Sequence, residues 1–377
     1  GPFVAVYLTT QKWTQSEIGL ILSIGGIVGL IGQMPGGAII DAARSERLVA
    51  GLAVATIGVS ALAYAAWPIF PVIALAAILH AAASCVLGPV IAAISLGLVG
   101  PRAIGERLGR NARFASLGNG VAAGVMGVVG YLVSSRAVFV VSFAFAGATL
   151  LALARIRDRE IDPEQAHGAI ARVEPDPDAT SVVHLLHQRP LVIFACTVFL
   201  LQFANAAMLP LMAGIVTERS SEGAPALIAL CIIVPQAIVA LISPSVGRKA
   251  QAWGRRPLLM IAFVALAVRG LLFATVHDPS LLVVVQVLDG VTAAVFGVMI
   301  PLIVADVAFG SGHFNLAQGV IGTATGIGAS LSTVVAGTMS DHFGHGVAFT
   351  GLAAAALSGL LVVWTLMPET RPAGLPR

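Results

Sequence analysis

Long apolar runs separated by short polar stretches recur along the whole of this 377-residue chain. A run of about 18 or more apolar residues is long enough to cross a bilayer as a helix. These runs are apolar on every side, whereas the strands of a membrane β-barrel alternate polar and apolar positions. The pattern therefore predicts an all-α polytopic membrane protein.

The apolar runs also give the number of predicted spans. The chain opens on GPFVAVYLTT, ten residues that are too few to cross a bilayer, so we interpret them as the second half of an incomplete first span. With this partial helix as span 1, we expect twelve spans. Spans 2 to 12 cover residues 16–40, 47–67, 70–98, 111–133, 137–154, 190–215, 224–246, 257–276, 279–305, 315–338 and 346–367.

Composition agrees with a membrane protein. The chain is 58% hydrophobic and 10% charged, whereas a soluble domain is usually about a quarter charged. Cys85, Cys196 and Cys231 all lie inside apolar runs, which indicates small core residues and not a disulfide framework.

The basic residues predict the orientation. If the connection between spans 2 and 3 faces the cytoplasm, that side holds seventeen Lys and Arg residues, against Lys12, Arg136 and Arg219 on the other. The positive-inside rule then predicts that both termini of the full-length chain lie in the cytoplasm. We expect the bacterial inner (plasma) membrane as its location. The excess positive charge is thus a topology signal towards anionic lipid. We expect the lipid bilayer, and no nucleic acid, as a partner.

Residues 156–189 form the longest polar segment, with three prolines and charges of both signs. This composition is typical of a linker and carries no catalytic signature. We therefore predict an N-terminal six-helix bundle at 1–155, a cytoplasmic linker at 156–189, a C-terminal six-helix bundle at 190–368 and a cytoplasmic tail at 369–377.

The two halves share a motif, in which a glycine is followed four residues later by Asp or Gln and then by arginines. The stretches GAIIDAARSER and GRKAQAWGRRPLL lie 210 residues apart, and LHAAASCVLG and LDGVTAAVFG match at an offset of 209. Two parallel six-helix repeats are a common build of secondary transporters. The motif residues are Gly37, Asp41, Arg44 and Arg47 in the first copy and Gly247, Gln251, Gly254, Arg255 and Arg256 in the second.

With the twelve spans, the linker and the closing MPETRP, these motifs resemble the major facilitator superfamily along essentially the whole chain. The resemblance implies two bundles in pseudo-twofold repeat that rock around a central cavity lined by spans 1, 4, 7 and 10. It also implies that Asp41 faces the start of span 11 and helps to hold the cytoplasmic side shut. Because Gln251 replaces the acid, we expect this latch in the first half only. The chain departs from many proton-coupled members at Ala77, where they carry Arg.

Charged groups at membrane depth give the candidate coupling site. Asp289 interrupts span 10, and the 209-residue offset pairs it with His80 of span 4. A charge at mid-span costs about 2.5–3.5 kcal/mol, so a cavity or a partner is expected. Arg269 of span 9 lies at a similar depth. Either Arg269 and Asp289 form a fixed pair, or Asp289 faces the cavity and carries a proton that Arg269 modulates.

Neutral polar groups extend the list of candidates. His80 can carry a proton, although a lone histidine on an apolar helix is also a common packing residue. Gln202 and Asn205 lie three residues apart on one face of span 7 and can bind a solute or another helix. The substrate-cavity candidates are Gln202, Asn205, Gln286, His80 and Asp289.

The sequence thus predicts a secondary transporter of a small organic solute that works by alternating access, with proton-coupled export as the first choice. A proton-linked importer of a small metabolite and a transporter-like receptor or scaffold remain as alternatives. No phosphate-binding loop, Ser/His/Asp set or metal-ligand cluster occurs in the pattern. We expect no enzyme, no cofactor, no metal, and a monomer.

Overall fold

The computed structural model describes residues 2–168, 188–219, 224–276 and 278–371. Helices account for nearly all of this part of the chain. In order they are α1 Pro2–Thr10, α2 Gln15–Ile31, α3 Gln33–Asp41, α4 Glu46–Ala66, α5 Phe70–Leu132, α6 Ala137–Ala154, a 3₁₀ turn Asp158–Glu160, α7 Pro163–Ala166, α8 Arg189–Asn205, α9 Met208–Arg219, α10 Ala224–Trp253, α11 Arg256–Thr275, α12 Pro279–Val307, α13 Phe314–Phe343 and α14 His345–Thr365.

Polar residues in the short connections determine where several helices begin. Thr14 caps α2 in a capping box, in which its hydroxyl accepts from the Glu17 amide and the Glu17 carboxylate accepts from the Thr14 amide. Ser45 caps α4 with one hydrogen bond, which its hydroxyl accepts from the Leu48 amide. Asp278 accepts from the Ser280 amide at 2.7 Å, and Pro279 follows it as the first residue of α12.

The chain is a multi-pass membrane protein. Within the described ranges, nine helices are long and apolar enough to cross a membrane, and the pair α2–α3, bent by 46°, adds a tenth. Helix α5 contains two of the predicted spans, which are separated by a break at Gly100, where φ is +69°. The pair α8–α9 corresponds to span 7 and is interrupted after Asn205.

Two helices extend beyond the predicted spans. Residues 99–110 were expected as a connection, but helix α5 resumes directly after Gly100 and runs on. Likewise α10 continues past the expected end at residue 246 to Trp253. Both stretches carry charged residues and therefore lie outside the apolar runs, yet helix formers such as Arg, Ala, Glu and Leu among their residues let the helix continue past several glycines, so hydropathy alone sets the end of a helix too early.

The chain forms two compact units. Of the described residues, the first unit holds those within Gly1–Gly100, Val121–Pro175 and Phe309–Gly319, and the second holds those within Pro101–Gly120, Asp176–Ala308 and Val320–Arg377. Each unit thus contains most of one sequence half together with a short segment from the other half. The boundaries at 155 and 190 stay a prediction, and residues 169–187 of the linker lie outside the described residues.

Aromatic side chains mark the core of each unit. In the first, Phe139 of α6 lies between Tyr7 of α1, 5.0 Å away, and Tyr64 of α4, 5.3 Å away. In the second, α11 packs against α12 and α14. Gly359 of α14 has no side chain where the ring of Phe263 lies, so these two helices approach closely at that point.

Candidate functional site

The first copy of the repeated motif contacts the start of α13 inside the first unit. A Cβ on Gly37 would overlap the backbone of Asn315, so glycine allows α3 and α13 to touch there. Four residues later, the Asp41 carboxylate accepts from the Asn315 amide at 3.1 Å, its side-chain Nδ2 at 2.8 Å and the Leu316 amide at 2.7 Å. A carboxylate is favoured here because the N-terminus of a helix is electropositive.

The second copy makes a matching contact inside the second unit. A Cβ on Gly247 would overlap the backbone of Gly105, and Gln251 Nε2 donates to the carbonyl oxygen of Arg102 at 2.7 Å. A latch in the first half only stays a prediction, but the second copy also forms a hydrogen bond between helices. The side-chain amide of Gln251 can donate to a carbonyl oxygen, which an ionised carboxylate cannot do. The second copy therefore makes its contact through an uncharged group.

The arginines of the two copies differ in their surroundings. Arg44 is exposed, and Arg47 Nη1 donates to the Ile156 carbonyl oxygen at 2.8 Å, with Asp158 Oδ2 at 3.5 Å. Arg255 is 1% exposed, and its Nε and Nη2 donate to the two carboxylate oxygens of Asp306 at 2.8 and 3.2 Å. The second copy therefore includes a buried, bidentate ion pair.

Glu369, near the end of the chain, also binds the second copy of the motif. Its carboxylate accepts from the backbone amides of Arg255 at 2.8 Å and Arg256 at 3.1 Å, at the start of α11. Gly254 has φ of +95° and leaves the space in which this carboxylate lies. Sequence reasoning missed Asp306 and Glu369 as partners, although Glu369 belongs to the MPETRP stretch that supports the resemblance.

A polar cluster lies at the predicted depth within the second unit. Nη1 of Arg269 on α11 donates to Asp289 Oδ1 on α12 at 2.6 Å and to Asn205 Oδ1 at the end of α8 at 2.5 Å. The Arg269 side chain is 1% exposed and the Asp289 side chain 20%. The structure thus brings together three of the candidate residues, with the cation buried and the carboxylate accessible at its edge.

The surroundings of this cluster are partly apolar. The ring of Phe273 lies 5.2 Å from the guanidinium carbon of Arg269. Gln286 of α12 is fully buried, and its side chain lies beside the Cys231 thiol. Gln202, one turn before Asn205, lies instead beside Gly328 of α13. The recorded side-chain bond to Arg269 comes from Asn205, and the pairing of Gln202 with Asn205 stays a prediction.

The interruption between α8 and α9 lies next to the cluster. Asn205 is the last residue of α8, and the Ala207 amide that follows donates to the buried hydroxyl of Ser332 on α13 at 3.1 Å. Polar side chains in membrane proteins commonly satisfy the backbone groups that a broken helix frees. The bond from Ala207 to Ser332 thus holds the end of α8, and with it Asn205, beside α13.

His80 lies elsewhere, on the wall of a cavity inside the first unit. The cavity has a volume of about 510 Å³. No Lys, Arg, Asp or Glu occurs among the described residues that line it. Its wall is apolar apart from a few groups, which are Gln33, Tyr64, His80, Ser84, Cys85 and Ser142.

Broken helices and polar groups at a cavity are features that membrane transporters share. The family model of the Major Facilitator Superfamily matches residues 1–234 and 194–376. The chain belongs to this superfamily and is a secondary transporter. The structure and the family match thereby confirm the predicted fold class, an all-α protein with the major-facilitator fold.

Relatives and solved structures agree. The uncharacterized MFS-type transporters Rv2456c and MT2531 of two Mycobacterium tuberculosis strains are each 39% identical over 377 residues, covering 98% of this chain and 89% of the relative. The proton:xylose symporter XylE superposes with a TM-score of 0.74 at 16% identity, covering 98% of this chain and 92% of XylE. The human organic anion transporter MFSD10 gives 0.68 at 17%, covering 96% and 88%. At such identities these structures show the fold alone.

Proposed function

We propose that this transporter exports a small organic or amphiphilic compound in exchange for protons, and that Asp289 carries the proton. One observation carries the proposal. Asp289 is 20% exposed and bound to an arginine that is almost fully buried and has a second, neutral acceptor in Asn205. The exposed edge leaves the carboxylate open to protonation, and the second acceptor can hold the guanidinium when Asp289 is neutral.

The arrangement allows a proton to be taken up without leaving the guanidinium of Arg269 without a hydrogen-bond acceptor. A guanidinium stays protonated in proteins, so the titrating member of the pair is the carboxylate. When Asp289 is protonated, Arg269 keeps its bond to the Asn205 oxygen. The buried cation therefore has a hydrogen-bond acceptor in both protonation states, which reduces the cost of losing its counter-charge.

The cavity of the first unit supports the choice of solute. Its wall is apolar, and its polar groups are amide, hydroxyl, thiol, phenol and imidazole groups. Such a surface suits an uncharged or weakly basic organic molecule, for which a few polar groups fix the orientation. A polyanion would require several cationic side chains. We therefore assign His80 to contact with the solute, and propose that Asp41 latches the cytoplasmic side.

The names of the two solved structures suggest other solutes, xylose moved together with protons for XylE and an organic anion for MFSD10. Neither is favoured by a specific contact in this chain. Arg269 is the cation that could bind an organic anion within the proposed site, but it is buried and already donates to two acceptors.

The proposal is tested by proton movement in inside-out vesicles that contain the full-length protein. A pH-sensitive dye reports whether a compound, added to energised vesicles, releases part of a preset proton gradient. We expect at least one amphiphilic compound to do so with the wild-type protein and not with Asp289→Asn.

Gln202→Ala serves as the matched control, because Gln202 lies on the same helix as Asn205 but outside the cluster. It should release protons as the wild type does. Equal proton release by the wild type and Asp289→Asn would contradict the proposal, and so would the absence of any responding compound.

A further inference from the structure

The first part of the predicted linker is packed onto the first unit. Residues 158–168, here called the strap, comprise the 3₁₀ turn, α7 and the two residues that follow. Ile161 is 5% exposed and Ala166 is fully buried. The Asp162 amide donates to the Gly97 carbonyl oxygen at 3.1 Å, and a Cβ on Gly97 would lie 2.7 Å from Ile161 Cγ2. The strap therefore covers the break in α5.

The same strap also holds the segment that leads into α13. The Phe314 amide donates to the His167 carbonyl oxygen at 3.2 Å, and the Gly310 amide donates to the Gly168 carbonyl oxygen at 2.5 Å. Asp41 binds the next two amides of that helix, those of Asn315 and Leu316. The strap and Asp41 thus secure consecutive backbone groups of one helix start.

An imidazole lies at the centre of these contacts. Nε2 of His167 is 3.0 Å from Oε1 of Glu46, whose side chain is only 4% exposed in the first turn of α4. A buried carboxylate without a cationic or donor partner is costly. Glu46 therefore depends on His167 when the strap is in place.

We infer that the strap is a pH-dependent lock, in which protonated His167 binds Glu46 and thereby holds residues 309–316 against α3 and α4. Two carboxylates surround the imidazole, Glu46 from α4 and Asp41 from α3. His313 is the titratable group on the segment before α13. On the strap itself, Asp162 is occupied in capping α7, where it accepts from the Glu164 and Gln165 amides.

The direction of the pH dependence follows from the surroundings of His167. The hydrogen bond to Glu46 raises the pKa of His167, burial opposes this shift, and the charges of Glu46 and Asp41 add to it. The docked strap therefore binds the proton more tightly than a free strap does. Docking is strongest below the ordinary histidine value of about 6.5 and weakens as the pH rises through the raised value.

In a proton-driven exporter, acidification of the cytoplasm would then tighten the lock and limit further proton entry. This use as feedback rests on the proposed function. The lock itself rests only on contacts within the first unit, so it can be tested without a transport assay.

The test is hydrogen exchange of the full chain in lipid nanodiscs at pH 6 and pH 8, corrected for the intrinsic pH dependence of exchange. The readout is the protection of the Gly310 and Phe314 amides. In the wild type we expect protection to fall by roughly fivefold between pH 6 and pH 8, as for a partly buried ion pair.

Variants assign the effect to one residue. His167→Gln should show low protection at both pH values, and His167→Arg should show high protection at both. His313→Gln is the control for a neighbouring imidazole and should behave as the wild type does. Glu46→Gln should lose the pH dependence as well.

Protection that does not change with pH in the wild type would overturn the inference. A pH dependence that survives in His167→Gln would overturn it too, because another group would then be titrating. A protein that shows the expected exchange but releases no protons in vesicles would contradict the proposed export and leave the lock standing.

Discussion

His80 and Asp289 hold equivalent positions in the two sequence halves, 209 residues apart, but the structure surrounds them differently. His80 lies on an apolar cavity wall, where the recorded hydrogen bond joins the Ser84 hydroxyl to its backbone carbonyl oxygen at 2.7 Å. Asp289 is bound by the buried guanidinium of Arg269 at 2.6 Å. One titratable group faces open space and the other an ion-pair partner.

The difference shows that an internal repeat places a residue on a helix without assigning its role. The partners decide the role. In the second half, α11 supplies Arg269 and the end of α8 supplies Asn205. In the first half, the described neighbours of His80 around the cavity are apolar or neutral. In the proposed function, proton coupling thus lies at Asp289 and contact with the solute at His80.

The largest expected effect is on stability, through Arg269→Met. This change leaves the Asp289 carboxylate without its cation and should lower the free energy of unfolding by about 3 kcal/mol. The double variant Arg269→Met/Asp289→Asn should recover a large part of the loss. Thermal unfolding of the purified protein in detergent measures both.

Arg110→Met is the control for removal of an arginine from the second unit. Its guanidinium is 61% exposed and pairs with Glu106 one turn away. Such pairs contribute about 0.3–0.5 kcal/mol. A loss as large as that of Arg269→Met would contradict a special role for the buried cation.

A smaller effect is expected for Asn205→Ala, which removes the neutral acceptor of Arg269. One hydrogen bond to a charged group contributes about 1.5 kcal/mol, so the rate of proton-driven transport should fall by roughly tenfold. Gln202→Ala should leave the rate unchanged, since Gln202 lies beside Gly328. Equal losses in the two variants would mean that α8 acts through its general packing.

The smallest effect is expected for His80→Gln. Loss of one polar contact should weaken the apparent affinity for the solute by about fivefold, which corresponds to about 1 kcal/mol. The number of protons released per solute should stay the same, and concentration series in the dye assay measure both. If His80→Gln abolished proton release, coupling would lie in the first half.

Much of the fold could be predicted because apolar runs and basic connections are local signals. The Arg269–Asp289 pair also followed from local geometry, since both residues lie at a similar distance from one turn and helices rise 1.5 Å per residue. The bond from Gln251 to Arg102 was missed because Gln251 was considered only as an acid that had lost its charge. Its side-chain amide instead donates a hydrogen bond to the Arg102 carbonyl oxygen.

Other partners could not be predicted, because they join residues that are distant in the chain. Arg255 and Asp306 are separated by 51 positions, and Arg255 and Glu369 by 114. Asn205 was chosen for its spacing from Gln202, yet only the fold shows which of the two reaches Arg269. The strap was hidden as well, because Ile161 is an isolated apolar residue in a polar stretch.

The central claim, that Asp289 couples protons to the solute, is tested most directly by comparing two kinds of transport for Asp289→Asn. In lipid vesicles one measures solute movement driven by a proton gradient, and solute exchange with equal solute inside and outside and no gradient. We expect Asp289→Asn to lose gradient-driven movement by roughly 100-fold and to retain exchange, because the amide keeps an oxygen acceptor for Arg269 while binding no proton. Loss of both would assign Asp289 a structural role, and retention of gradient-driven movement would place proton coupling elsewhere.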